Sequence, residues 1–348
     1  MSERTYRDRD QIQTKEDFFF TVVGNLHPKD RVIAYLKYIP NKSGKWGNVK
    51  KRYERVLKYY SMNNLFETIN FLRKNYPQYL FYSKEYSVSF SSVPKQCIAK
   101  HYRPEEGLED IVKKENLDSL QKKTLNLIHL IHAHSGVGLK NFGVTGSLLT
   151  DIHREFSDID LIVYGKVNSQ IVKRTIQSSI KGKIKRLDGK HLEDWIESKT
   201  RLYPLTRKEI KTIYRRKWNR GIYDNALFSI HPVKIESEIF ESYGDRTFKP
   251  HGIVEAEAEI IDSSDAGFNP AVYLVDNVRI TKGIKKQDVK EIVSYEGLYS
   301  DIAEKNETII FRGKIERVYD KRNDQKYHRI LIGSPEAMGK DYLKPIIK

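Results

Sequence analysis

Residues 143–165 read GVTGSLLTDIHREFSDIDLIVYG, and this segment determines most of what we expect of the fold. Its glycine-serine pair, Gly146-Ser147, interrupts an apolar run and predicts a turn after a short strand. A second strand is predicted over Asp158–Tyr164, where β-branched residues follow the acidic ones. Because residues two apart on a strand project from the same face, Asp158 and Asp160 should lie side by side near that turn.

The residue types in this segment are suited to binding a nucleotide phosphate and a metal ion. At Gly146-Ser147, backbone N–H groups, the serine hydroxyl and the positive end of a helix predicted over Leu148–Glu155 could hold a phosphate. Asp158 and Asp160 repel each other unless a cation lies between them, and oxygen-only ligands suit Mg²⁺ (or Mn²⁺). The segment therefore predicts a triphosphate-and-metal site, with both aspartates as catalytic metal ligands.

The same pattern, Gly-Ser followed after ten residues by Asp-x-Asp in an apolar strand, resembles the DNA polymerase beta-type nucleotidyltransferase superfamily. The resemblance covers roughly residues 140–240, and Ser157 before the first aspartate is part of it. It implies a mixed sheet backed by helices, nucleotide phosphates at Gly146 and Ser147, and metal at Asp158 and Asp160.

More distant parts of the chain resemble archaeal proteins described only as predicted nucleotidyltransferases. The residues that carry this likeness are Asn25–Pro28, the run to Ile39-Pro40, and Asn269–Tyr273. The likeness spans nearly the whole chain and implies no particular substrate.

One position departs from the superfamily pattern. The resemblance implies a third carboxylate on a later strand, which binds the catalytic metal or activates the attacking hydroxyl. The corresponding strand reads Leu227–His231, with Ser229 where aspartate is expected. Asp224 and Glu236, at the two ends of the strand, are alternatives for that carboxylate, and His231 could contact phosphate or a base instead.

Composition and charge limit the classes of partner. The chain has 348 residues, 62 basic and 46 acidic, with a formal net charge of +16. This excess favours nucleic acid, RNA or DNA, as a partner. A single cysteine, Cys97, excludes an internal disulfide, and no apolar run is long enough to cross a bilayer. We expect a cytoplasmic protein that does not contact membranes.

The densest basic run lies on a helix predicted over Leu205–Trp218. It contains Arg207, Lys208, Lys211, Arg215, Arg216, Lys217 and Arg220, with Glu209 as its only acid. Local ion pairs cannot balance these charges. We therefore expect Arg216 and Lys217 to bind the triphosphate or a nucleic-acid backbone, although a solvated helix face would look the same.

The periodicity of the remaining sequence predicts an α+β protein of three consecutive domains. These are an N-terminal α+β domain over 1–110, a nucleotidyltransferase core over 111–245 and a small β-rich domain over 246–348, an antiparallel barrel or sandwich. The predicted helices are Val49–Tyr60, Asn63–Lys74, Leu117–His134, Asn168–Ile180 (capped by Asn168 or Ser169), Arg186–Thr200, Leu205–Trp218 and one near Lys286–Tyr295.

The favoured function is Mg²⁺-dependent transfer of a nucleotidyl group from a nucleoside triphosphate to an acceptor. Net charge favours nucleic acid over a small molecule as the acceptor, and a protein acceptor stays open. The alternative is a nucleic-acid-binding protein that keeps the fold with little or no turnover. A third hypothesis, an antitoxin-like or scaffolding partner, predicts a stable protein complex instead.

Overall fold

A computed structural model describes residues 4–56, 62–178, 182–285 and 287–346. Its α-helices are α1 Met62–Asn75, α2 Pro104–Lys113, α3 Ser119–Ser135, α4 Gly146–Leu149, α5 Lys166–Ser178, α6 Gly189–Leu202 and α7 Arg207–Arg216. The strands of the first half are β1 Gln11–Thr14, β2 Phe19–Val22, β3 Arg31–Pro40, β4 Trp46–Gly47, β5 Arg52–Arg55, β6 Leu80–Ser83, β7 Val88–Pro94, β8 Ile98–Tyr102, β9 Phe142–Val144 and β10 Ile159–Tyr164. Those of the second half are β11 Arg220–Tyr223, β12 Ala226–Val233, β13 Arg246–Asp262, β14 Ala271–Lys282, β15 Val289–Ser294, β16 Thr308–Asp320, β17 Gln325–Ile332 and β18 Tyr342–Pro345.

The chain forms two compact units, each assembled from three separate segments. The first contains residues 1–58, 91–187 and 218–240, and the second contains 59–90, 188–217 and 241–348. This differs from the consecutive division at 110 and 245. No helix among the described residues is long and apolar enough to cross a membrane.

The first unit contains a small mixed sheet in the order β11-β12-β10-β9. β10 is parallel to β12 and antiparallel to β9. α2, α3 and α5 pack their apolar residues against its strands in one core. α3 begins with a capping box in which Asp118 and Gln121 bind each other's backbone N–H groups, and it ends at Gly136 in the left-handed conformation.

The N-terminal strands belong to the same unit. They form a sheet in the order β4-β5-β3-β2-β1-β8, and β7 also pairs with β3. Phe19, Tyr38 and Tyr53 pack with Ile152, which follows α4, in a shared apolar cluster. The backbone confirms this contact, since the Gly47 N–H donates to the Ile152 carbonyl at 2.8 Å.

The helix predicted over Val49–Tyr60 is wrong where the structure describes it, and residues 57–60 lie outside the described part. Residues 46–55 form the hairpin of β4 and β5, in which buried Tyr53 alternates with exposed Arg52 and Glu54. The Asn48 side chain accepts the N–H groups of Lys50 and Lys51, a local turn that competes with helix formation.

The second unit is built around a closed barrel of five strands. Their order is β13-β14-β15-β17-β16, and β16 pairs back onto β13; β18 adds to β16 outside this ring. All neighbouring pairs are antiparallel except β15 and β17, which are parallel. This order with one parallel pair corresponds to the OB-fold. α6 and α7 contribute Ile196, Ile210 and Ile213 to the barrel core.

The helix expected near Lys286–Tyr295 is also wrong over residues 287–295. Residue 286 lies outside the described part of the chain. Val289–Ser294 form β15, in which five of the six residues are buried. A strand enclosed on both faces reads as a continuous apolar run, which periodicity alone cannot distinguish from a helix segment. The cap expected at Asn168 or Ser169 is likewise wrong, because α5 begins at Lys166 directly after Gly165.

Candidate nucleotide and metal site

The paired carboxylates lie at the start of the central strand of the mixed sheet. Ile159 and Leu161 are completely buried in the core behind β10. Because side chains alternate along a strand, Asp158 and Asp160 project from the opposite face. The charge of Asp160 acts on Asp158, so the two carboxylates lie near each other, and their joint role as a metal site stays a prediction.

The Gly146-Ser147 turn packs directly against Asp160. The Thr145 N–H donates to the Asp160 carbonyl at 2.9 Å. Gly146 has a φ of +66°, and a Cβ there would lie 2.7 Å from Asp160 Oδ2. Only glycine satisfies both the left-handed backbone and this close approach.

The helix after this turn is much shorter than the predicted Leu148–Glu155. α4 ends at Leu149, and Asp151 adopts a positive φ of 52°. A single turn gives little macrodipole. Any phosphate contact here would therefore come from backbone N–H groups of the turn and the Ser147 hydroxyl.

The third position beside the aspartates is occupied by Ser229 and His231. In the parallel register, Ser229 of β12 lies opposite Asp160 of β10. The Ser229 hydroxyl donates to Asp160 Oδ1 at 2.5 Å, and His231 Nε2 lies 2.8 Å from the same hydroxyl oxygen. Since Ser229 donates its proton to Asp160, His231 Nε2 acts as the donor to Ser229. The result is a chain from His231 through Ser229 to Asp160.

The two alternative acids at the ends of this strand have other partners. Asp224 lies with Asn225 in the turn between β11 and β12, both at positive φ, and faces Lys123 Nζ at 3.8 Å. Glu236 binds the Arg7 guanidinium through two hydrogen bonds. Of the four candidates for the third position, the structure brings Ser229 and His231 to the aspartates.

Four basic residues have charges that act on this site, and only Arg220 was part of the basic run singled out from the sequence. Lys37 affects both aspartates, Arg55 affects Asp158, Arg220 affects Asp158 and His231, and Arg9 affects His231. Lys37 is only 7% exposed. A lysine inside the apolar strand RVIAYLKYIP is the sequence feature that could have marked it as a functional residue.

Backbone contacts hold Arg9 and Arg220 next to the site. Thr145 Oγ1 donates to the Arg9 carbonyl at 2.7 Å, and Arg9 has a positive φ of 70°. Arg220 lies opposite Ser229 in the register of β11 and β12. Such unfavourable backbone conformations in non-glycine residues are concentrated at functional sites.

The two aspartates have opposite electrostatic environments. The pKa of Asp158 is raised to about 6, first by burial among protein atoms and then by the charge of Asp160. Burial also opposes ionisation of Asp160, but His231, Lys37 and Ser229 outweigh it and hold its pKa well below the usual range. Burial, followed by the charge of Arg9, lowers the pKa of His231 to about 4, so its imidazole is neutral at pH 7.

This donor set fits a hard divalent cation. Two carboxylates with oxygen ligands from phosphate and water are sufficient for Mg²⁺. Among the described residues, no three His, Cys, Asp or Glu side chains are arranged to hold an ion. Asp158 and Asp160 are the residues that could hold such an ion.

Arg216 and Lys217 lie in the second unit and have partners there. Arg216 forms a two-pronged ion pair with Glu307, at 2.5 and 2.8 Å. Lys217 is 3% exposed, and its ammonium donates to the carbonyls of Gly297 and Ser300. These contacts favour a structural role for both side chains, and the prediction that they bind nucleotide stays a prediction.

Comparison with known proteins identifies a nucleotidyltransferase domain that includes the aspartates of the first unit and extends over residues 188–217 of the second. The family model of the nucleotidyltransferase domain matches residues 134–219, which include the Gly146-Ser147 turn and both aspartates. Over 343 residues the chain is 31% identical to the uncharacterized protein MJ1086 of Methanocaldococcus jannaschii, covering 97% of this chain and 98% of the relative. No solved structure matches the chain.

Proposed function

Because this chain belongs to the same family as that Methanocaldococcus jannaschii protein and carries a nucleotidyltransferase domain, we propose that it transfers a nucleotidyl group from a nucleoside triphosphate to a nucleic-acid hydroxyl. An acceptor oxygen attacks the α-phosphorus, and the bond from that phosphorus to the α,β-bridging oxygen breaks. Pyrophosphate leaves with this oxygen, and the acceptor proton passes to solvent. The observation that carries the proposal is the Asp158–Asp160 pair packed against the Gly146-Ser147 turn.

Asp158 and Asp160 would hold Mg²⁺ (or Mn²⁺), which would supply charge neutralisation at the triphosphate and the leaving group. The Gly146-Ser147 turn would bind phosphate oxygens through its N–H groups and hydroxyl. Arg9, Lys37, Arg55 and Arg220 would offset the rest of the triphosphate charge, since the two aspartates alone would repel it.

Ser229 and His231 are positioning residues in this proposal. The hydrogen bonds from His231 to Ser229 and from Ser229 to Asp160 keep Asp160 ionised and fix its orientation. A neutral imidazole can do this without competing with a metal for Asp160. The pair would thus compensate in part for the missing third carboxylate.

Support for a nucleic-acid acceptor comes from charge. The chain carries a net charge of +16. A network of ion pairs needs similar numbers of basic and acidic residues, so it does not account for this excess of positive charge. The serine at the third position favours the second candidate, a nucleic-acid-binding protein with little turnover. The two candidates differ in whether labelled nucleotide becomes covalently attached.

The test is incorporation of labelled nucleotide from each of the four triphosphates, with Mg²⁺ or Mn²⁺, into RNA, DNA and protein acceptors. Asp158→Asn and Asp160→Asn should each lower incorporation at least about a hundredfold. Asp224→Asn is the matched control, because this exposed acid lies in the β11–β12 turn, and it should retain activity. If no acceptor is labelled while the wild type still binds nucleic acid, the transferase proposal fails and the binding protein is supported.

A further inference from the structure

Three strands of the second unit continue beyond the barrel as a ribbon. β13 pairs with β14 only from Glu255 onward, and residues 246–250 pair with β16 alone. On the other side of β16, residues 325–327 of β17 pair only with β16. Among the described residues the ribbon is therefore a three-stranded sheet, and its β13 edge is contacted at Phe248, whose N–H donates to the Glu85 carbonyl at 2.7 Å.

One face of this ribbon is buried and the other is basic and aromatic. Phe248 and Val318, directly opposite each other, are both 2% exposed. On the alternate face, the register places Lys249, Arg317 and His328 in one row across the strands. The next row places Tyr319 opposite Lys326. We call this surface, with His251, the ribbon face: Lys249, His251, Arg317, Tyr319, Lys326 and His328.

The rings and cations of the ribbon face lie close together. His251 and His328 stack with their ring centroids 5.5 Å apart and planes 27° apart. Arg317 Nη2 lies 3.1 Å from His251 Nε2, which orients the guanidinium along the same surface. Lys326 Nζ lies 5.7 Å above the Tyr319 ring, which is 37% exposed. The surface thus combines cations with aromatic faces.

The acids near the ribbon face do not neutralise it. At the opposite end of β13, the outward-facing glutamates are paired: Glu255 with Lys282 and Arg312, and Glu257 with Arg279. By contrast, Lys249 and Arg317 lie directly opposite each other, a like-charge pair that costs stability. No ion pair joins them, or Lys326, to a carboxylate in the part of the chain that the structure describes.

Asp324 and Asp288, which lie in the loops beside the ribbon strands, have partners of their own. Asp324 in the turn binds the Tyr319 hydroxyl, and Asp288 pairs with Lys290 at 2.8 Å. Glu316 and Asp320 are buried on the other face. An anion is therefore the ligand that complements the exposed face.

We propose that the ribbon face binds single-stranded nucleic acid. Lys249, Arg317 and Lys326 match a phosphodiester backbone, and the exposed Tyr319 ring and the histidine pair offer stacking surfaces that require unpaired bases. OB-folds bind oligonucleotides partly through the loop between their fourth and fifth strands. Here that loop, residues 321–324, joins β16 to β17 at the tip of the ribbon. That the ribbon face anchors the acceptor during nucleotidyl transfer rests on the proposed function. That it binds single-stranded nucleic acid does not depend on the proposed function.

The test measures fluorescence anisotropy of the full-length protein with labelled oligouridylate and oligothymidylate of about twelve nucleotides. A duplex and an oligoglutamate peptide of matched length serve as the other arms. The double variant Lys249→Gln/Arg317→Gln should weaken single-strand binding at least about tenfold and lower the salt slope by about 1.4, since each phosphate contact contributes about 0.7.

Aromatic stacking is tested separately. Tyr319→Ala should weaken binding about tenfold, whereas Tyr319→Phe, which keeps the ring, should bind like the wild type. The matched control is Arg279→Gln, which removes an exposed cation of the same barrel that already pairs with Glu257. That control should change the Kd less than twofold.

The proposal is overturned if ribbon-face variants bind single strands like the wild type, or if duplex or oligoglutamate binds as tightly as the single strands. The outcome is separable from that of the transferase proposal. Ribbon-dependent binding without any nucleotidyl transfer would support the ribbon face and contradict only the enzymatic proposal.

Discussion

At the scale of single residues, the site depends on how two neighbouring carboxylates are kept in different electrostatic environments. Asp160 receives the Ser229 hydroxyl, whereas the main influences on Asp158 are burial and repulsion. Such divergent pairs are frequent where protein function depends on ionisation. The two predictions below address one aspartate each.

Asp158→Asn should stabilise the metal-free protein and remove its response to Mg²⁺. The folded-state pKa of Asp158, about 6, lies above its ordinary value, so its charge opposes folding at pH 7 and this penalty is relieved as pH falls through 6. Although nearby protein atoms desolvate the carboxyl, the residue keeps water-exposed surface, and water screens the effect. We therefore expect a gain of only about 1 kcal/mol. The melting temperature with and without Mg²⁺ measures it. A variant that still gains stability from Mg²⁺ like the wild type would exclude Asp158 as a ligand.

Ser229→Ala should destabilise the protein by about 2 kcal/mol, because a hydrogen bond to a charged group is lost. The pKa of Asp160 is depressed, so its contribution to stability is present above about pH 4 and is lost as pH falls below that value. The difference from wild type in free energy of unfolding should therefore be constant above pH 4 and shrink below it. Denaturant titrations without metal test this.

Thr124→Val provides the matched control for that pH dependence. The Thr124 hydroxyl is equally buried but donates to the Leu120 carbonyl, which does not titrate. The loss in free energy of unfolding caused by Thr124→Val should therefore not vary with pH. Parallel pH profiles for the two variants would show that Ser229 does not act through Asp160.

At the scale of elements, the basic helix α7 shows that tertiary contacts determine which residues of a charged run are available to a ligand. Thr206 and Glu209 form a capping box at its start, and Ile210 and Ile213 enter the barrel core. Its last residues, Arg216 and Lys217, are engaged by Glu307 and by backbone carbonyls. The exposed cations of α7 are Arg207, which pairs with Glu193, and Lys208, Lys211 and Arg215.

Lys217→Met should destabilise the second unit by about 2 kcal/mol and leave the KM for the triphosphate unchanged. Its buried ammonium satisfies the carbonyls of Gly297 and Ser300, which would lose their donor. Lys211→Met, on the exposed face of the same helix, should change stability little. A tenfold higher KM with unchanged stability would instead support nucleotide binding by Lys217.

At the scale of the whole molecule, the chain alternates between its two units. Residues 59–90 and 188–217 belong with the C-terminal barrel, although the sequence around them belongs to the first unit. Tyr203 and Leu205, for example, are buried in the barrel core. The consecutive domains at 1–110, 111–245 and 246–348 therefore do not coincide with the compact units.

A chain truncated after Asp245 should expose the apolar residues of α6 and α7, because the barrel core that buries them is missing. We expect strong binding of a hydrophobic dye and aggregation. A chain that also lacks 59–90 and 188–217, with short linkers in their place, should unfold cooperatively. Cooperative unfolding of the simple truncation, without dye binding, would favour the consecutive domains.

The sequence by itself determined the local features: the Gly146-Ser147 turn, the Asp158–Asp160 strand, and most long helices and strands. These follow from spacing and periodicity within one segment, as for α3, which was predicted over Leu117–His134 and spans Ser119–Ser135. Three short segments were predicted wrongly as helical: β5, β15 and residues 150–155, which follow the single turn of α4. Few residues carry the period in such segments, and burial on both faces hides it in β15.

Only the tertiary structure decided what surrounds the aspartates and which segments share a core. Lys37, Arg55 and Arg220 come to one site from three strands, and no spacing along the chain encodes that meeting. Ser229 was identified as a departure from the pattern, but its bond to Asp160 depends on the register of two parallel strands far apart in sequence. Long-range register and burial arise from packing, which is why charge runs and domain limits could not be interpreted from sequence alone.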